Sequence, residues 1–198
     1  MQVILLNGPP RSGKDTIGSL LANEIEGAYC DKFAAPIIDH MYSNFGVSCD
    51  DGGDKSVPLD VLNGFSRRQY AIAYSERWIK PTLGEDWFGQ QAARMVELRA
   101  GYPGGRSVLR DNTTPWCSTL IFTDSGFREE AIPVVEAVKK RDGTVVQVQL
   151  FRPGCSFNGD SRGYWDLEGV RSIQFFNDGP LDELLMRVRR ELVPAIIR

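Results

Sequence analysis

Apolar residues fall along this chain in short blocks, several followed by a polar or glycine-bearing turn and then by apolar residues at helical spacing. "VILLN" (Val3 to Asn7) is a continuous apolar strand, and beyond the next turn Ile17, Leu20, Leu21 and Ile25 share one helical face. "AYCDKF" (Ala28 to Phe33) predicts a second strand, with Pro36 as a first-turn residue of the helix "APIIDHMYSNF". Residues 46 to 64 read as an irregular acidic loop. Two helices follow, Ser66 to Ile79 and Glu85 to Leu98, broken by "KPTLG". The buried strand "STLIFTD" ends in Asp124 and leads to a helix from Arg128 to Lys140. Then come the strand "TVVQVQLF", a loop from Arg152 to Gly169, the strand "SIQFFN" and a final helix from Leu181 to Leu192. Apolar strands alternating with helices predict a parallel sheet covered on both faces. In such sheets ligands bind beyond the carboxyl ends of the strands.

Composition narrows the class. The chain has 198 residues, 42% of them hydrophobic, which suits one domain, residues 1–198, with a real core. A formal charge of −3 gives no global footprint for nucleic acid, although a local basic patch stays open. No apolar run reaches membrane-spanning length, and the first residues lack a signal-peptide pattern, so a cytoplasmic protein without membrane contact is expected. Cys30, Cys49, Cys117 and Cys155 are scattered without metal-site spacing and read as free thiols. His40, the single histidine, reads as a packing or surface residue. With no G-x-S-x-G elbow beside it, a serine hydrolase is excluded.

The chemistry gathers at the predicted strand ends. "GPPRSGKDT" (Gly8 to Thr16) follows the first strand and matches G-x-x-x-x-G-K-[ST] except at its last position, where Asp15 stands and Thr16 comes one step late. Gly8 and Gly13 let backbone N–H groups wrap phosphate oxygens, Arg11 and Ser12 complete the loop, and Lys14 reaches for the outer phosphates at a helix start. Asp15 offers magnesium a carboxylate in place of a hydroxyl, directly or through water, and Thr16 is left for an α-phosphate oxygen. Asp124 ends an apolar strand as a second magnesium candidate, or as a helix cap. Arg11, Arg67, Arg68, Arg128, Arg152 and Arg162 form the pool of cations for a migrating phosphoryl group. Asp31 ends the second strand.

"RSGKDT", "FAAPIIDHM", "TLGEDWFG", a strand ending in "TD", "FRPG" and "NDGPLDELL" occur in one order over nearly the whole chain. This order resembles the bacteriophage deoxynucleoside monophosphate kinases, within the nucleoside monophosphate kinase-like P-loop proteins. The resemblance implies a P-loop three-layer α/β sandwich on a mostly parallel five-stranded sheet. It also implies ATP and magnesium as cofactors, a cap around residues 34–100 and a lid-like loop around 152–169. Gly13, Lys14, Asp15 and Thr16 inherit the phosphate role, Arg152 proximity to the nucleotide, and Asn177 of the "NDG" turn a place near adenine.

Two departures bear on the acceptor. The long insertion that helps the family enclose a mononucleotide is here only the loop around 46–64. The arginine that follows "TD" in the family is replaced by Ser125 and Gly126, with Arg128 one turn further on as a substitute. The acceptor-side candidates are Asp31, Arg67, Arg68, Arg162 and Trp165. A free deoxynucleoside monophosphate is the first reading. The alternative acceptor is the hydroxymethyl group of 5-hydroxymethyluracil within DNA, where Tyr102, Arg106, Arg110, Trp116, Phe157, Tyr164 and Trp165 offer aromatic and basic contacts. A regulatory ATPase is a third reading, and a homodimer is compatible with each.

Overall fold

The structure, a computed structural model, describes residues 1–48, 54–99 and 117–197. Tyr102, Arg106, Arg110, Trp116 and Cys49 lie outside the described residues. Five strands form one sheet in the order β2-β3-β1-β4-β5: β1 Gln2–Asn7, β2 Ala28–Asp31, β3 Thr119–Phe122, β4 Thr144–Phe151 and β5 Arg171–Phe176. Every pairing is parallel, with Gln2 opposite Thr119 on one side and Thr144 on the other. This is the layered α/β sandwich on a parallel five-stranded sheet that the sequence predicts. The central strands are buried on both faces and are therefore mostly apolar, whereas edge strand β5 mixes exposed and buried positions.

Alternate side chains of the sheet enter two cores. Ile4, Leu6, Ile121, Val146, Val148 and Leu150 pack against α1 Lys14–Glu24 and the C-terminal helices α7 Leu181–Arg187 and α8 Val193–Ile197. Val3, Leu5, Leu120, Phe122 and Val145 pack against α2 Ala35–Phe45, α5 Trp87–Arg99 and α6 Arg128–Lys139. Helix α5 buries Phe88, Ala92 and Val96 in that core, so it is a sandwich layer rather than part of a peripheral cap. His40 is a packing residue. It stacks on Tyr74 with centroids 4.5 Å apart, and its Nε2 lies 3.1 Å from the Tyr70 hydroxyl.

The predicted break at "KPTLG" comes only at its last residue, Gly84. Helix α3 Arg67–Tyr74, opened by a Ser66–Gln69 capping box, continues through a wide π segment, Ser75–Ile79, into α4 Lys80–Leu83. Pro81 lacks an N–H and crowds the preceding turn, and the wider turn absorbs it without ending the helix. Termination waits for Gly84 at φ 109°. The final helix likewise runs past Leu192, through a π segment Val188–Leu192, to Ile197.

One stretch of the sheet has a loop where a helix would be expected. Gln147 and Gln149 point toward the α6 side from the middle of β4 and are buried. Gln147 Nε2 donates to the Trp165 carbonyl at 2.7 Å and Gln149 Nε2 to the same oxygen at 3.4 Å, while the Trp165 ring enters the core. The polar alternation in "TVVQVQLF" thus fastens a loop whose carbonyl would otherwise be buried unpaired. The segment around 163–165 is a strap, not the swinging half of a lid.

Helices α5 and α6 approach most closely at Gly89, where a Cβ would lie 2.8 Å from the Glu130 Cα and carbonyl carbon. Backbone cannot yield as a flexible side chain does. Gly89→Ala is therefore expected to cost about 1–3 kcal/mol of unfolding free energy by urea titration, and a loss under about 0.5 kcal/mol would contradict this packing.

Candidate phosphate site

The site grows from the end of the central strand. Asn7 is fully buried, and its Nδ2 donates to Ser125 O at 2.7 Å and to Gly163 O at 3.0 Å, joining β1 to the loop after β3 and to the strap. Beyond it the chain arches through Arg11 at φ 65° and Gly13 at φ 96°, then enters α1. Successive left-handed positions of this kind turn N–H groups inward, and a helix start adds its own free N–H groups. A Cβ on Gly8 would come 2.8 Å from Ser12 Oγ and 3.0 Å from Leu150 O. Only glycine fits there. Ser12 Oγ and Asn7 Oδ1 are buried with no hydrogen bond among the described residues.

Lys14 has no carboxylate against its ammonium. Its Nζ donates to Gly8 O and Pro9 O, both at 2.7 Å, folding back over the loop it serves. Burial first, and the nearby charge of Arg162 second, lower its pKa to about 8. A half-buried ammonium at a helix N-terminus, resting on carbonyls and with a second cation beside it, makes a candidate anion site.

Asp15 projects to solvent, its side chain 68% exposed, and is held by the Thr123 hydroxyl, which donates to Oδ1 at 2.8 Å, and by Lys32 Nζ at 3.5 Å. Burial acts to raise its pKa, but the Thr123 hydrogen bond and the charges of Lys32 and Lys55 outweigh it, so the group stays an anion. A charged, accessible carboxylate at the loop's edge fits a magnesium ion that takes its remaining ligands from phosphate and water. Thr16, next in the helix, is also exposed. No cluster of three or more acidic, histidine or cysteine side chains suited to a metal occurs among the described residues, so magnesium here would depend on the phosphates it bridges.

Several predicted residues are placed differently. Asp124 accepts from Phe33 N at 2.8 Å and Ala34 N at 3.1 Å, one bond on each oxygen. It fastens the start of α2, an earlier element, and not the helix that follows it. Burial raises its pKa, and the two backbone hydrogen bonds act against that rise. Asn177, expected near adenine, is buried beneath the loop, with Nδ2 donating to Ser12 O at 2.9 Å. It is a strut. Trp165 is 6% exposed and cannot stack on an acceptor base. Arg128 is exposed, and its Nε donates to Asp166 O at 3.4 Å. Asp31 ends edge strand β2; burial raises its pKa, and its charged neighbours are Arg99 and Asp39.

Other predicted residues lie near one another. Arg152 Nη1 donates to Arg11 O at 3.2 Å on the outer side of the loop. Arg162 sits beside Lys14, paired with Asp160. Arg67 and Arg68 begin α3, and the charge of Arg68 reaches Asp160. Sequence reasoning missed Asn7, Thr123, Lys32 and Asp160. The signal for Asn7 was present, since a polar side chain ending an otherwise apolar buried strand calls for a partner. Asp160 carried no comparable signal. The buried Glu130 was also missed; burial raises its pKa to about 8 against the opposing charge of Lys80.

No protein-family profile matches the chain, and no curated protein does. Among solved structures it is similar to a sugar kinase from a Janibacter species, at 17% identity and a TM-score of 0.48 over 99% of this chain and 98% of that one. It is also similar to an inferred kinase from Chloroflexus aurantiacus, at 15% identity and a TM-score of 0.45 over 96% and 95%. Likenesses of this size carry no weight beside the strand order and the loop themselves.

The depressed Lys14 pKa makes polyphosphate binding proton-linked. A bound polyanion favours the ammonium and raises its pKa, so the complex takes up a proton where the empty site has lost one. Affinity for ATP is therefore expected to be constant well below pH 8 and to fall as pH rises through 8. Calorimetry in buffers of different ionisation enthalpy should show proton uptake near pH 8, absent in Lys14→Met. Uptake that persists in Lys14→Met would assign it to another group.

Proposed function

We propose that the protein is an ATP- and magnesium-dependent phosphotransferase acting on a deoxynucleotide acceptor, with a deoxynucleoside monophosphate as the first candidate. The observation that carries this reading is the Lys14 ammonium, resting on the carbonyls of Gly8 and Pro9 with the charge of Arg162 beside it at the start of α1. A lysine so placed exchanges carbonyl oxygens for phosphate oxygens without breaking an ion pair. ATP would supply the phosphoryl group, and magnesium would screen the charge that builds on it. Within the chain, Lys14 and Arg162 attract the outer phosphates and the loop N–H groups cradle the inner ones. Asp15, kept ionised by Thr123 and Lys32, holds the metal or one of its waters.

On the acceptor side, Arg67 and Arg68, which begin α3, are the candidates for gripping a mononucleotide phosphate. The alternative, a modified base within DNA, draws support from one feature. The segment leading into α3 is open to solvent, with Val57 at 51%, Val61 at 53% and Phe65 at 43% exposure. Lys55 and Arg68 are exposed in the same stretch, and their charges reach Asp15 and Asp160. An apolar rim studded with cations suits a polymer as well as a small acceptor.

Asp15 can be tested directly. Asp15→Asn is expected to raise the magnesium concentration for half-maximal rate by about tenfold, because a neutral amide is the poorer ligand, and Asp15→Ser should retain more activity than Asp15→Ala. Identical magnesium titrations across the three variants would remove the metal role.

The acceptor is decided by offering labelled ATP with each deoxynucleoside monophosphate and, separately, with hydroxymethyluracil-containing DNA. For the mononucleotide reading, Arg67→Ala and Arg68→Ala should raise the acceptor KM by about tenfold or more and leave that for ATP nearly unchanged. DNA labelling, with affinity that falls steeply with salt and a slope reduced by about one unit per arginine removed, would replace it with the polymer reading.

A further inference from the structure

In "DSRG", Asp160 and Arg162 stand two residues apart on an irregular segment. Asp160 accepts from the Arg162 backbone N at 3.1 Å, from Nε at 2.8 Å and from Nη2, so both carboxylate oxygens hold a single arginine. The Asp160 side chain is only 12% exposed and that of Arg162 25%, which leaves the pair little competition from water. Asp160 is in turn fixed through its own N–H to Phe157 O at 2.9 Å.

The stem of the arginine has a seat as well. It lies across Gly126, where a Cβ would come 2.6 Å from Arg162 Cγ. No larger residue leaves the arginine in place. The chain after Arg162 is pinned at successive residues: Gly163 N donates to Gly126 O at 3.3 Å, Asn7 Nδ2 donates to Gly163 O, and the Tyr164 hydroxyl donates to Leu150 O at 2.7 Å. Trp165 is buried in the core. The arginine is thus held from its fork, its stem and the backbone that follows.

Of the five guanidinium N–H groups, Asp160 takes one on Nε and one on Nη2, and three remain. Those three belong to a cation close enough to Lys14 to be its strongest charged neighbour.

We infer that Asp160 and Gly126 are positioning residues, forming a fixed seat that keeps Arg162 at the terminal phosphate of a bound nucleoside triphosphate. This cation is built into the folded protein and is not delivered by a closing lid. Its side-chain freedom is lost once, on folding, instead of at each binding event. The inference rests on the phosphate-site reading given above.

The test compares magnesium-ATP with magnesium-ADP by calorimetry, because a residue serving only the terminal phosphate separates the two. Asp160→Asn and Gly126→Ala are each expected to weaken ATP by about tenfold and ADP by less than about twofold, the scale of one charge-assisted hydrogen bond. Arg162→Ala should show the same selective loss. In the Arg162→Ala background neither substitution should add to it, since both act through the missing side chain.

Equal weakening of ATP and ADP, full additivity with Arg162→Ala, or no effect of either substitution would overturn the seat while leaving nucleotide binding in place. A wild-type protein that binds neither nucleotide would overturn the phosphate site itself and the seat with it. Should Gly126→Ala fail to fold, the Asp160 and Arg162 cycle decides alone.

Discussion

Two buried asparagine amides hold this site together. The residues that meet an anion sit on loops, and loops at the end of a sheet are not fixed by the ladder that fixes the strands. Asn7, the last residue of β1, grips Ser125 O and Gly163 O and so ties together the loop after β3 and the strap after β4. Asn177, just beyond β5, reaches under the glycine loop to Ser12 O. Each lies in a region with little water, where an unpaired amide or carbonyl would cost about 1–3 kcal/mol. The bonds are therefore difficult to exchange for solvent. Four strand ends are joined through two side chains, and the glycine loop, Arg162 and the segment around Asp124 are placed relative to one another as a consequence.

The electrostatics of the site follow from that rigidity. Cations brought together in a partly buried space repel one another, and the low Lys14 pKa records both the burial and the repulsion by Arg162. Such a site is poised for an anion because the Lys14 ammonium rests on backbone carbonyls and not on a carboxylate. The acids nearby are each committed. Asp160 holds Arg162, Asp124 holds the N–H groups of Phe33 and Ala34, and Asp15 is steadied by Thr123 and Lys32 at the solvent edge. Of these only Asp15 combines a stable negative charge with wide exposure. On the proposed function, the departure from the usual Ser or Thr at this position is a change of ligand type within the loop.

The layered fold was legible in the sequence because it rests on periodicity, and the five strands and the helices of both faces appear where apolar spacing places them. Boundaries failed where proline was read as a terminator. The helix through Pro81 survives by widening into a π turn, which the pattern of apolar residues does not announce. The glycine loop was legible because its chemistry is local, needing only residues 8 to 16. What escaped was long-range pairing. The Asn177 amide serves a carbonyl 165 residues away, and Asn7 serves one 156 residues away. Trp165 fits the acceptor chemistry by residue type, but its ring is buried in the core. Residue type can nominate a side chain, while only the fold gives its direction.

The two sides of the site differ in how much of the structure restrains them. Everything on the phosphate side is tied to the sheet within one or two hydrogen bonds, down to the fork of Arg162. The segment from Lys55 to Arg68 is held more loosely, by one Pro58–Ser66 bridge, backbone turns and a bond from Arg68 N to Lys55 O, and it exposes Val57, Val61 and Phe65. A phosphate donor is the same molecule in every turnover, so it rewards a site whose ordering cost is met during folding. An acceptor must enter and leave past that fixed site, and a side built from an exposed loop and the first turn of one helix can admit it without disturbing the donor groups. On this reading the acceptor resides with residues 54 to 68 and the chemistry with residues 8 to 16 and 160 to 163. Changes in the first set should alter what is phosphorylated, and changes in the second whether anything is.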